Sequence, residues 1–220
     1  MSDEPTISTR LFAIDDTRAL PAALQALRRG EVVVFPTDTV YGVGCSLWDP
    51  RAIERLYWAK QRPEELAIPV LVADIWDTRQ VARDLPQAFE ALAERFWPGG
   101  LTLVLPKIGR VPAILSAGRD TVAVRLPAHP FARALIRAAG GALAVTSANR
   151  SGQPAPRTAE EAQAALWGRV AVILDGGPCP IGVASTIVDL TVSPPRVLRP
   201  GAIPYEALRE VLPMLLPHQK

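Results

Sequence analysis

An α/β fold built on a mixed, largely buried sheet is what this sequence predicts. Three observations carry the expectation. Short apolar runs alternate with stretches of helical spacing along the chain. The 22 prolines stand at the ends of those runs, as at Pro36, Pro50, Pro98, Pro127, Pro178 and Pro200, instead of forming one low-complexity block. The run at 101–105 and the closely spaced apolar runs near the C-terminus call for antiparallel pairs among parallel ones.

About eight strands and six or seven helices are expected. Residues 19–29 carry Leu20, Leu24 and Leu27 at helical spacing and end at Gly30, a good residue just past a helix. Strand 32–35 follows. Asp49 reads as a helix cap and Pro50 as the first helical residue, opening a helix through Ile53, Leu56 and Tyr57 to about 59. Residues 68–72 form an apolar strand. Residues 87–96 are amphipathic and stop at Pro98-Gly99-Gly100. Strands at 101–105 and 121–125 come next, then a helix over 131–139 closed by Gly140-Gly141. Strand 142–146 runs straight into Ser147-Ala148-Asn149. Thr158-Ala159-Glu160-Glu161 reads as a capping box opening a helix to Trp167. Strands 170–174, 186–190 and 196–198 complete the sheet, and 204–212 reads as a short helix before a polar tail. No internal repeat and no linker appears. The expected division is a domain over 10–203 with a short helix and tail over 204–220.

Bulk properties narrow the function. A chain of 220 residues suits one large domain. The net charge of +2 gives no overall argument for nucleic acid. Cys45 and Cys179 form neither a disulfide framework nor a zinc-ligand spacing, which fits a reducing cytoplasm. Met1-Ser2-Asp3-Glu4-Pro5 is polar and acidic, without the pattern of a secretory signal, and no apolar run approaches a bilayer span. A cytoplasmic location without membrane contact is expected.

The most informative stretch is Phe35-Pro36-Thr37-Asp38-Thr39-Val40-Tyr41-Gly42-Val43-Gly44. An apolar strand delivers hydroxyls, one carboxylate and approachable glycine backbone to the end of a sheet, where α/β proteins build ligand sites. Other polar clusters share that context: Lys60-Gln61-Arg62-Pro63, Thr121 with Arg125, Thr146-Ser147-Ala148-Asn149-Arg150-Ser151-Gly152, Ser185-Thr186, and Arg199-Pro200-Gly201. Singly, each has a plain explanation. Lys60 and Arg62 complement a helix C-terminus, and Ser147 and Asn149 are ordinary turn residues. Arg125 is harder to dismiss, because a buried Arg ending a strand needs a partner. There is no phosphate-binding Gly-Lys-Ser/Thr loop, nucleophile elbow, or His/Cys metal cluster. Lys, Arg, Asn and hydroxyls remain. Such a set suits positioning and electrostatic stabilisation of phosphoryl or carboxylate groups.

At these residues the sequence resembles the YrdC-like family of threonylcarbamoyl-adenylate synthases. Seven pieces occur in the family's order: 36–44, 60–63, 96–105, 121–130, 146–152, 185–189 and 198–201. The resemblance implies a twisted, open sheet with helices on both sides and an electropositive concave face. It implies condensation of L-threonine, bicarbonate and ATP, with Mg²⁺, to threonylcarbamoyl-AMP and pyrophosphate. The product feeds the threonylcarbamoyl modification of adenosine 37 in tRNA through downstream transfer proteins. The family's Lys-x-Arg and Ser-x-Asn signature falls on Lys60, Arg62, Ser147 and Asn149, and Lys60 and Arg62 are the expected catalytic pair. Nucleotide contact is carried over to Lys60, Arg62, Thr121, Ser147, Asn149, Ser151 and Arg199. Threonine or carbamate contact is carried over to Thr37, Tyr41, Arg125, Thr146 and Ser185. No protein metal site is expected. Leu66 and Leu71 stand where some members carry Asn and His, and the chain resembles the short, single-domain branch. Two other readings stay open: an RNA-binding module, for tRNA or double-stranded RNA, without synthase activity, and a paralogue using another carbamoyl acceptor.

Overall fold

The computed structural model describes residues 7–219. The acidic stretch Met1–Pro5, on which the expected lack of a signal rests, and Lys220 lie outside them. Ten strands form one sheet: β1 (Arg10–Ala13), β2 (Val33–Phe35), β3 (Gly42–Cys45), β4 (Val70–Val72), β5 (Leu101–Pro106), β6 (Thr121–Arg125), β7 (Ala142–Ser147), β8 (Val172–Asp175), β9 (Thr186–Asp189) and β10 (Arg196–Arg199). Their spatial order is β1-β8-β2-β3-β7-β4-β6-β5-β9-β10. The sheet is mixed, as expected. Pairs β1/β8, β2/β8, β4/β6 and β5/β9 are parallel, and the other five are antiparallel.

Seven α-helices accompany it: α1 (Ala19–Arg28), α2 (Pro50–Lys60), α3 (Gln87–Phe96), α4 (Ala113–Ser116), α5 (Pro130–Ala138), α6 (Ala159–Leu166) and α7 (Tyr205–Val211). A 3₁₀ turn spans Ile75–Gln80. Asp49 caps α2 by accepting the Arg51 N–H at 3.0 Å, with Pro50 in the first turn as its sequence suggests. Thr158 accepts the Glu161 N–H at 3.3 Å, but the Glu161 carboxylate takes the Arg157 N–H, one residue before the cap, so the box is offset by one donor.

The expected eight strands become ten, and β1, β3, α4 and the 3₁₀ turn are additions. β3 escapes a propensity reading because two of its four residues are glycine. Both of its edges are paired, and its approach to β7 requires that composition. A Cβ on Gly44 would stand 2.8 Å from the Ala144 carbonyl oxygen.

Two apolar cores lie on opposite sheet faces. One takes Val34, Val43, Val70 and Ile173 with the buried sides of α2, α3, α6 and α7. The other takes Val33, Phe35, Leu71, Val145 and Val172 with α1 and α5. Alternation along each strand assigns the side chains to these faces. Towards β6, β5 and β9 the first core continues through Val124, Leu103 and Val188. Thr102, Val104, Thr121, Ala123 and Arg125, on the reverse of those strands, belong to neither core. The helices of the second core are not packed there, and this half of the sheet, where Thr102 and Arg125 are buried under other segments, carries the site.

The segment after residue 203 packs into the first core through Leu208, and Val197 N–H donates to the Leu216 carbonyl at 2.9 Å. Cys45 and Cys179 are free and buried. Among the described residues no helix is long and apolar enough to cross a membrane.

Candidate active site

The turn between β2 and β3 forms one wall of a hollow, and its hydroxyls hold the turn together. Thr37 Oγ1 donates to the Val40 carbonyl at 2.7 Å and accepts the N–H groups of Thr39 and Val40. Tyr41 is fully buried. Its hydroxyl donates to the Gly177 carbonyl at 2.7 Å and accepts the Gly176 N–H at 3.1 Å, and burial pushes its pKa above the ordinary phenol range. Thr37 and Tyr41 both line the hollow, with their hydroxyls engaged by the fold.

Arg125 enters from the end of β6. Nε donates to the Gly99 carbonyl at 2.8 Å, Nη1 to Thr39 Oγ1 at 2.7 Å and Nη2 to Asp38 Oδ1 at 2.6 Å. Asp38 Oδ1 also accepts the Ala128 N–H at 3.0 Å, whereas Oδ2 is buried without a partner. An unpartnered buried oxygen of this kind costs about 1–3 kcal/mol. Burial lowers the Arg125 pKa, and the Asp38 charge opposes that shift.

The opposite wall is set by β9 and β10. Ser185 Oγ lies 2.8 Å from Thr102 Oγ1, and Arg199 lies over the same serine, its Nη2 donating to the Ser185 carbonyl at 2.7 Å. This close crossing demands Gly201, where a Cβ would stand 2.3 Å from the Ala184 carbonyl oxygen. Thr146 and Ser147, at the end of β7, also line the hollow, and Pro69, Leu71 and Val145 supply apolar surface. Leu71 therefore sits in the hollow itself.

Beside the hollow, α2 ends with Gln61 in the left-handed conformation (φ 50°). That ending leaves Lys60 on the buried face with Leu56 and puts Arg62 on the following loop. The Lys60 ammonium donates to the Ser147 carbonyl, to the Asn149 carbonyl at 2.6 Å and, at 3.4 Å, to Asn149 Oδ1. Ser147 Oγ donates to Asn149 Oδ1, and the Asn149 amide donates to the carbonyls of Arg150 and Gln153 at 2.8 and 2.7 Å. The Ser151 N–H returns to the Lys60 carbonyl at 2.9 Å. Lysine and the Ser-x-Asn turn are one hydrogen-bonded unit. Arg62 donates through Nε and Nη2 to the carbonyls of Leu66 and Ala67 at 3.0 and 2.9 Å.

The electrostatics of these cations are uneven. Lys60 is 1% exposed, and burial, followed by the nearby charge of Arg62, lowers its pKa to about 7. Burial and then Arg62 also lower Arg199, and burial lowers Arg62. Among the described residues the ion pairs are Arg18–Asp16, Arg83–Asp84 and Arg125–Asp38. Lys60, Arg62 and Arg199 have no carboxylate within ion-pair distance among the described residues. Mutually repelling cations held without counter-ions make a site that an anion would relieve.

The structure therefore brings together Thr37, Tyr41, Arg125, Thr146, Ser147, Ser185 and Arg199, with Lys60, Arg62, Asn149 and Ser151 along one side. Thr121 shares the bare face of β6 with Arg125 but sits four residues upstream, about 13 Å away, outside the hollow's lining. Sequence reasoning assigned no role to Asp38, Thr39 or Thr102. Asp38 carried a signal, as the one carboxylate within a run of apolar and hydroxyl side chains. Among the described residues no group of three or more His, Cys, Asp or Glu side chains is placed to hold a metal ion.

A hollow lined by fixed hydroxyls and an oriented guanidinium, with unpaired cations in and beside it, defines a class: an open α/β protein whose site suits an anion beside a small polar molecule. Comparison with known proteins narrows it. Residues 25–201 match the model of the Sua5/YciO/YrdC family, described as telomere recombination. The chain belongs to that family. It is 44% identical over 186 residues to the threonylcarbamoyl-AMP synthase of Pyrococcus abyssi, covering 84% of this chain and 55% of that protein. It is 43% identical over 207 residues to the threonylcarbamoyl-AMP synthase of Bacillus subtilis, covering 94% of this chain and 59% of that protein. The crystal structure of P. abyssi Sua5 complexed with L-threonine superposes with a TM-score of 0.90 at 40% identity, covering 96% of this chain and 62% of that one. The chain thus spans a little over half the length of these relatives.

Proposed function

We propose that this chain is a threonylcarbamoyl-AMP synthase, condensing L-threonine, bicarbonate and ATP. One observation carries the reading. Arg199 lines a hollow that also presents Arg125 and hydroxyls, and Lys60 and Arg62 stand beside it; unlike Arg125, these three have no carboxylate partner among the described residues. The relatives named for this activity, one of them crystallised with L-threonine, support it.

The chemistry gathers negative charge twice. The threonine amine nitrogen bonds to the carbon of carbon dioxide, released from bicarbonate with loss of hydroxide, and sheds a proton to leave an N-carboxylate. An oxygen of that carboxylate then bonds to the α-phosphorus of ATP. The bond from that phosphorus to the bridging oxygen breaks, and pyrophosphate leaves. Arg62 and Arg199 each retain N–H groups beyond those engaged with Leu66, Ala67 and Ser185, and these would hold phosphate oxygens. Lys60 contributes its charge and the shape of the Ser147–Asn149 turn. Arg125 retains one N–H on each Nη atom for the threonine carboxylate. Mg²⁺ would arrive on the triphosphate, since Mg²⁺ commonly binds through substrate phosphates and one or two carboxylates. The adenylate would pass to proteins that modify adenosine 37 of tRNA in the cytoplasm.

The test is direct. Pure protein is incubated with ATP, Mg²⁺ and bicarbonate, with and without threonine, and pyrophosphate and the labile adenylate are followed by phosphate assay and mass. Threonine-dependent pyrophosphate with a threonylcarbamoyl-AMP mass is expected. Salt-dependent RNA affinity without threonine-dependent ATP consumption would favour an RNA-binding module, and another product mass would favour a different acceptor. Serine lacks only the methyl group, so it should be excluded less well than an analogue lacking the hydroxyl.

A further inference from the structure

Asp38 lies one step behind the hollow and ties three segments together. Its Oδ1 accepts from Arg125 on β6 and from the Ala128 N–H ahead of α5, and its main-chain carbonyl accepts the Ile181 N–H at 3.1 Å from the loop after β8. The residue is 5% exposed and does not line the hollow. Stability gives a poor account of this carboxylate. A buried ion pair gains little over apolar packing, and here one oxygen is left without any partner. What the arrangement does secure is the guanidinium. With Asp38, Thr39 and Gly99 fixing three of its N–H groups, Arg125 is held in one orientation at the lining of the hollow, with two N–H groups left over.

We propose that Asp38 is a positioning residue for amino-acid recognition, acting on the substrate carboxylate only through Arg125. This rests on the synthase reading given above. The pairing also divides the site's labour. Arg125 meets the amino acid as a neutralised, oriented fork, so recognition there depends on geometry. The net positive charge that would hold a triphosphate comes from Arg199 in the lining and from Lys60 and Arg62 beside the hollow.

Steady-state kinetics of Asp38→Asn test this, with threonine and ATP varied separately and threonine-dependent pyrophosphate as the signal. The substitution keeps the shape but removes the charge that orients the guanidinium. Asp38→Asn should raise the threonine KM by about tenfold or more and leave the ATP KM within about twofold, a split that general loss of fold would not produce. Asp38→Glu, which restores the charge, should return the threonine KM towards wild type and serves as the second variant should the asparagine protein fold poorly. In an Arg125→Lys background, Asp38→Asn should add little, because both changes act through the same group. An unchanged threonine KM in Asp38→Asn, or equal rises for threonine and ATP, overturns the inference while leaving the synthase reading intact. Absence of threonine-dependent pyrophosphate from the wild-type protein overturns both.

Discussion

Arg125 at the end of β6 and Lys60 at the end of α2 are both buried beside the hollow, yet one faces a carboxylate and the other only amide oxygens. The first arrangement is neutral and rigid. The second leaves a positive charge in a poorly solvated place, lowers its pKa to about 7, and adds the repulsion of Arg62. The difference teaches where each ligand belongs. A small zwitterion needs an oriented fork, whereas a polyanion repays a cluster of unneutralised cations.

The largest effects should come from the uncompensated side. Lys60→Met leaves the carbonyls of Ser147 and Asn149 without their shared donor and removes the charge. It should lower threonine-dependent pyrophosphate release by about a hundredfold or more, in the range seen when a preorganised electrostatic contact is lost. Arg62→Ala should lower turnover by more than about tenfold with the fold intact, since the side-chain hydrogen bonds of Arg62 go to its own loop, at Leu66 and Ala67. A variant of either kind with near-normal turnover would break the comparison.

On the compensated side, besides the rise in threonine KM, removing the carboxylate side chain altogether should also cost stability. Asp38→Ala strands a buried guanidinium and should cost about 3–5 kcal/mol in urea denaturation. A loss below about 1 kcal/mol would show that the pair is solvated after all.

The pH response separates the two cations further. The folded-state pKa of Lys60 lies below its unfolded value of 10.5, so the unfolded chain binds the extra proton between the two. Stability from this group should therefore rise with pH from about 7 towards about 10.5, by an amount of the order of a few kcal/mol. Denaturation of wild type and Lys60→Met across that window checks it, and equal slopes would contradict the assignment. The smallest effect expected is that of Gly201→Ala. Its Cβ would press on the Ala184 carbonyl, so a loss of about 1–3 kcal/mol and a weakened Arg199 contact should follow.

Much of this was legible in the residues. Apolar alternation located β5, β6 and β7, and the Asp49-Pro50 pair marked the start of α2. The need of Arg125 for a partner was also readable from its place at the end of a strand. The partner's identity was not, because Asp38 is 87 residues away and only closure of the sheet brings the two together. β3 was hidden by its glycines, and β1 by its largely exposed, edge-strand pattern. The engagement of Lys60 with the Ser147–Asn149 turn depends on where α2 docks, which local spacing does not encode.

The account rests on uncompensated charge gathered for a triphosphate. The most direct measurement is the Kd of ATP, without threonine, for wild type, Arg62→Ala, Arg199→Ala and the double variant. Each single change should weaken binding by about tenfold, with the double variant weaker than either, and the effect should shrink as salt is raised. ATP binding with equal affinity to all four proteins would contradict the claim.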